Sequence, residues 1–195
     1  IKQRARGHGA GGLLVGLAAA QLAGAGFLVG LDRQRADVAG QQLTPVPGLC
    51  STTAAGLARR FTDEQWQAVE TGLARVAERM LGLLPAERRE RLTDAVTIDL
   101  DTTDVEVYGH HKRGVAYNYA GQRVGRPHVA TWAQTETVLA ADLLAGDEDP
   151  RPHAARLMRR ALAALPVQAR AGKVAMRVDA GYFAGELARA AHAED

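Results

Sequence analysis

The hexapeptide VTIDLD, residues 96–101, decides how the chain divides. Val96, Ile98 and Leu100 alternate with Thr97, Asp99 and Asp101, a period of two built on β-forming residues, so a strand is expected with one apolar face and both aspartates on the other. Downstream, Val115 to Tyr119 and His128 to Trp132 read as two further strands, joined across Gly121 and Gly125 as a hairpin. A helix is expected from about Glu136 to Leu144, ended by Gly146. Pro152 suits the first turn of another, whose Leu157, Met158, Ala161, Leu162 and Leu165 line one face before Pro166. Lys173 to Val178 then forms a strand ending at Asp179, and Tyr182 to Ala191 a closing helix.

Everything before the hexapeptide reads as helix. Thr62 and Gln65 make a capping-box pair, after which Trp66, Val69, Leu73, Val76, Met80 and Leu83 recur at spacings of three and four, the mark of an amphipathic helix. Pro85 stops it, and a short helix follows with Arg88, Arg89 and Arg91 turned to water. Pro45, Pro47 and Gly48 form a turn, and Ser51 or Thr52 caps a helix running to Arg59 and Arg60. Further upstream, GLLVGLAAAQLAGAGFLVGL (Gly12 to Leu31) has the length of a membrane span, with Gln21 its one polar side chain and Lys2, Arg4 and Arg6 before it. The other reading is a buried pair of short helices broken at Gly24 and Gly26, because the stretch is rich in glycine and alanine and poor in large apolar groups. The fold class is therefore α+β, a helical N-terminal region over 1–94 and a mixed α/β core over 95–195.

Composition narrows the class without naming a function. Apolar residues at 47% and charged residues at 24% are globular averages and exclude disorder or a collagen-like chain. A net charge of +2 is too small to argue for nucleic acid alone, although the cations are almost all arginine, whose fork suits phosphate. One cysteine, Cys50, permits no internal disulfide and fits a reducing, cytoplasmic compartment. The glycines at 7, 9 and 12 mimic a dinucleotide-binding fingerprint but lack a preceding strand, and the six histidines show no zinc-ligand spacing. The chain starts at Ile1 and ends at Asp195, and both ends are expected to be cut.

Carboxylates hold the clearest chemistry. Asp99, Asp101 and Asp104 crowd one strand end and Asp179 closes another; such groups repel unless a hard cation such as Mg²⁺ or Mn²⁺ lies between them, while lone aspartates after strands also serve as caps and turns. The segment TIDLDTTDVEVYGHHKRGVAYNYAGQRVGRPHVATWAQTE (Thr97 to Glu136) resembles the start of the catalytic domain of insertion-sequence DDE transposases, in particular insertion-sequence family thirteen-eighty. AMRVDAGYFAGEL (Ala175 to Leu187) resembles the second motif of that family, and PGLCSTTAAGLARRFT more loosely its DNA-binding region.

The resemblance implies a truncated ribonuclease-H-like core following a DNA-binding region. It makes Asp101 and Asp179 the first two catalytic, metal-binding aspartates, with Asp99 the competing metal ligand on the same face. Two Mg²⁺ or Mn²⁺ ions in the complete site, phosphoryl transfer at terminal inverted repeats and target DNA, and phosphate contacts from Arg59 and Arg60 also follow from it. So do a nucleoid-associated setting away from membranes and a homodimer in the full-length protein. The family's third carboxylate lies well beyond its second, so this chain is expected to lack it and to be inactive. A noncatalytic DNA-binding remnant and a membrane-anchored protein are the competing readings.

Overall fold

The structure, a computed structural model, describes residues 7–58, 60–109, 111–183 and 185–194. It falls into two compact units, Ile1–Gln67 and Ala68–Asp195. That division precedes the switch from helical to strand pattern at 94/95, because the last helices before the strands pack on the sheet.

In the first unit, helices α1 (Ala10–Leu22), α2 (Val29–Ala36) and α3 (Ser51–Ala58) enclose a small core of Leu13, Ala20, Leu31, Leu49, Ala54 and Leu57. The glycine-rich stretch is thus two helices, and the chain leaves the first with Gly24 at φ +84°, a conformation that L side chains resist. Gly16 faces Leu49 so closely that any side chain would collide with it. No helix among the described residues is long and apolar enough to cross a membrane. Asp32 accepts the Ser51 N–H at 3.1 Å, tying α2 to the start of α3. Lys2, Arg4, Arg6 and Arg59 lie outside the described residues.

Helix α4 (Asp63–Gly82) begins as expected, with the Gln65 side chain accepting the Thr62 N–H at 3.2 Å. Its apolar stripe does not become core: Leu73, Val76, Met80 and Leu83 are exposed, and Ala74 and Leu81 meet the core instead. Polar anchors set this rotation, for Glu70 pairs with Arg160 and Glu78 accepts the Val167 N–H at 2.9 Å.

The second unit continues through α5 (Ala86–Asp94), β1 (Ala95–Thr102), β2 (Val105–Glu106), β3 (Ala116–Tyr117), β4 (Arg123–Trp132) and β5 (Thr137–Ala145). Then come α6 (Arg151–Ala164), α7 (Val167–Arg170), β6 (Lys173–Val178), a 3-10 turn at Ala180–Tyr182 and α8 (Gly185–His192). The sheet runs β5, β4, β1, β6; β4 is antiparallel to both β5 and β1, and β6 is parallel to β1, with β2 and β3 flanking one end of β4. The arrangement is mixed α/β, with a mostly antiparallel sheet.

One expected element is overturned. Residues 137–145 form a strand, not a helix, because β4 offers them an antiparallel partner and Glu136 turns the chain at φ 54°. Tertiary pairing there outweighs the helix preference of leucine and alanine. Alternation in β1 holds: Val96, Ile98 and Leu100 are buried under α6 and α8 together with Trp132, Leu157, Met158 and Leu187. The other face of the sheet, carrying Asp99 and Asp101, is open within this unit.

Leu157 is wholly buried whereas Val76 is more than half exposed. Leu157→Ala should therefore cost about 2–5 kcal/mol in urea-induced unfolding, and Val76→Gln no more than about 0.5 kcal/mol. Equal losses would show that the α4 stripe is buried after all.

Candidate active site

Strand pairing places the two aspartates of the motifs. β1 and β6 run parallel with Ala95 beside Lys173, Asp99 beside Arg177 and Leu100 beside Val178. Asp179 continues β6 in extended conformation at ψ 175°, so the same offset sets it beside Asp101 on the neighbouring strand. Adjacent strands are roughly 4.8 Å apart, so continuing that offset by one residue beyond the last pair, Leu100 with Val178, brings both aspartates to neighbouring strand ends. Asp101 accepts its neighbour's N–H, from Thr102, at 2.7 Å. Gly181 follows Asp179 closely, and a Cβ there would come within 3.0 Å of the Asp179 carboxylate.

Asp99 has a different partner. Arg177, opposite it in the register, donates Nε to one carboxylate oxygen at 2.7 Å and a terminal nitrogen to the other at 2.5 Å. This fork is bidentate and occupies Asp99, so the register brings Asp101, and not Asp99, to Asp179. Asp104 is likewise engaged: Arg126 Nε donates to it at 2.8 Å and Asn118 Nδ2 at 2.9 Å, and these donors hold its carboxyl below the usual range. Asn118 Oδ1 in turn accepts the N–H groups of Ala120 and Gln122, fixing the turn between β3 and β4.

Beneath the carboxylates lies Tyr182, which residue spacing alone did not single out. It is 2% exposed and its ring packs on buried His128 with centroids 5.5 Å apart. Burial pushes its phenol up to about 12, with the negative charges of Asp101 and Asp179 acting in the same direction. Thr102 opposes that shift, yet the hydroxyl closes no well-formed hydrogen bond. Burial likewise lowers the His128 pKa and keeps the ring neutral. Nothing in the structure explains why both its ring nitrogens lack partners.

Two carboxylates with hard oxygen donors suit a divalent cation of the Mg²⁺ class. Among the described residues, however, no group of three or more His, Cys, Asp or Glu side chains is set to hold a metal ion. The set is therefore short of the two-ion site that the resemblance implies. In the first unit, Arg60 folds its guanidinium back over Gly56 of α3; Arg59 lies outside the described residues.

No family model and no curated protein matches the chain. Among solved structures, a chain of a pre-cleavage Mos1 transpososome is similar at 12% identity and a TM-score of 0.34, over 86% of this chain and 56% of that one. This chain thus spans little more than half of that protein, and a likeness so distant carries no argument for fold or activity.

Tyr182 provides a test by pH. Its folded pKa, about 12, lies above the ordinary 10.0, so burial of the neutral phenol contributes stability that is complete below about pH 10 and lost as pH rises through 12. Tyr182→Phe should leave the urea midpoint at pH 8 nearly unchanged and reduce its fall between pH 8 and pH 11. An identical alkaline loss in the variant would mean that Tyr182 is not the buried phenol.

Proposed function

We propose that the chain carries the first part of a DDE transposase core, acting in metal-dependent phosphoryl transfer on DNA at insertion-sequence ends. The reading rests on the two sequence motifs, and the observation that carries it is their convergence: the aspartates of motifs far apart in the chain stand in one register at the ends of neighbouring parallel strands. Asp101 and Asp179 supply anionic oxygens to a shared cation. Arg177 neutralises Asp99, which spares that strand end a third uncompensated charge, and neutral Tyr182 closes the site from below. Bound Mg²⁺ or Mn²⁺ would supply activation of water or a 3′-hydroxyl and stabilisation of the leaving oxygen.

In this proposal residues 95–195 are the first part of the catalytic domain and 1–94 a DNA-binding region, with Arg59 and Arg60 reaching phosphate after α3. Among the described residues no third acidic side chain joins Asp101 and Asp179, and strand cleavage by the 195-residue chain is expected to stay at background. One second reading is a noncatalytic DNA-binding remnant, since among the described residues no three-ligand group is found.

Mn²⁺ binding separates the two. The free-ion paramagnetic resonance signal should fall on titration with the chain, and Asp101→Asn or Asp179→Asn should each weaken binding about tenfold or more, since every lost anionic ligand lowers affinity for a hard cation. Binding unaffected by both variants would remove the shared-metal assignment. No Mn²⁺ binding, with duplex DNA still retained, would leave the noncatalytic reading.

A further inference from the structure

β1 and β2 keep one register along β4: Thr102 pairs with His128 and Val105 with Gly125, and the Thr103 N–H bridges the gap to the Pro127 carbonyl at 3.1 Å. Side chains on this long interrupted strand therefore alternate without a slip, and every second residue of β4 from Val129 to Arg123 lies on the open face that bears Asp101. β3 joins β4 with Tyr117 opposite Arg123, so those two side chains share that face. Arg123 lies six residues along β4 from the partner of Asp101, roughly 20 Å away. Its guanidinium donates to the carbonyls of Gly109 and Lys112, drawing in a segment whose Lys112 and Arg113 are exposed.

Aromatic side chains of this hairpin are left in solvent. Tyr117 is 68% exposed and Tyr119 99%; Tyr108, 77% exposed, stands on the side of Glu106, to which its hydroxyl donates at 2.8 Å, and Phe183, four residues after Asp179, is 92% exposed. Three of the chain's four tyrosines are among them, and the fourth is the buried Tyr182. Their support is rigid, because the Asp104, Asn118 and Arg126 network pins the turn that carries Tyr119. Exposed aromatic faces next to cations, on a braced hairpin, have one obvious chemical complement: flat, electron-rich rings on a polyanion. In an intact duplex the base faces are already stacked on one another, so only unpaired bases can use them.

We propose that the hairpin between β2 and β4, together with Phe183, is a stacking platform for unpaired bases of single-stranded DNA. The inference rests on the DNA reading above and deepens it: the platform receives the frayed or displaced nucleotides of the strand whose phosphate reaches Asp101 and Asp179. Lys112 and Arg113 hold the backbone by charge, and the tyrosines hold the bases without sequence preference. Stacking needs the ring and not the hydroxyl.

The test is fluorescence anisotropy in EDTA with a labelled mixed-sequence single-stranded DNA oligonucleotide and with the same sequence as a blunt duplex. Single-stranded DNA should bind more tightly, with affinity falling as salt rises. Tyr117→Ala with Tyr119→Ala should weaken single-strand binding at least about fivefold, Phe183→Ala should act in the same direction, and Tyr117→Phe with Tyr119→Phe should retain it. In the wild-type chain, photo-crosslinking of bromodeoxyuridine-substituted single strand should label the peptide spanning 105–123, a readout that depends on no variant folding. Equal affinity for single strand and duplex, indifference to the alanine variants, or crosslinks confined to other peptides would overturn the platform. So would a concentration-dependent oligomer lost in the same variants, which would make these aromatics a protein contact. Stacking without Mn²⁺ binding removes only the phosphoryl-transfer reading, and Mn²⁺ binding without stacking removes only the platform.

Discussion

The parallel pairing of β1 with β6 is the constraint on which the second unit depends. It joins segments 78 residues apart, and its ordering cost is met by burying Val96, Ile98 and Leu100 against α6 and α8. A slip of one residue would turn these side chains to the open face and both aspartates of β1 into the core, where unpaired charge is far more costly than exposed valine. The same alternation that excludes this slip also fixes which acid meets which neighbour. Asp99 finds Arg177, while Asp101 and Asp179 come one residue past the last paired positions of the two strands.

Local pattern made much of this legible. β1 and β6 could be read because their apolar alternation agrees with their final burial, and α6 because its stripe at Leu157, Met158 and Ala161 is the one that packs. The two helices around Gly24 follow from the glycine break. The strand at 137–145 was not legible: its leucines and alanines favour a helix, and only the antiparallel partner in β4 decides otherwise. In α4 the periodic stripe was visible but its direction was not, since ion pairing by Glu70 and a capping contact by Glu78 rotate the helix, and both partners are distant in sequence.

Site residues divide along the same line. Asp101 and Asp179 stand in motifs, and a motif reports its own strand end. Arg177 could have been suspected from its place two residues before Asp179, but its fork to Asp99 exists only through the β1–β6 register. Tyr182 reads as an ordinary helix-start aromatic until burial and two neighbouring carboxylates are seen to act on one phenol.

The two faces of the sheet divide the physical roles. The helix-covered face holds nearly all the large buried side chains of the second unit and is tuned for packing, including His128 with its ring tilted against Tyr182. The open face retains Val105, Tyr117 and Leu143 in solvent, together with Asp101. Exposed apolar and aromatic groups weaken solubility and contribute nothing to folding, so a face that keeps them beside two carboxylates and a cationic segment is organised around contact with something outside the unit. The Asp104, Asn118 and Arg126 network supports the same conclusion, because it spends charged hydrogen bonds on stiffening a hairpin that adds little to the core. Rigid presentation of that hairpin lowers the ordering cost of any ligand laid across it, whereas a mobile loop would lose that advantage on binding.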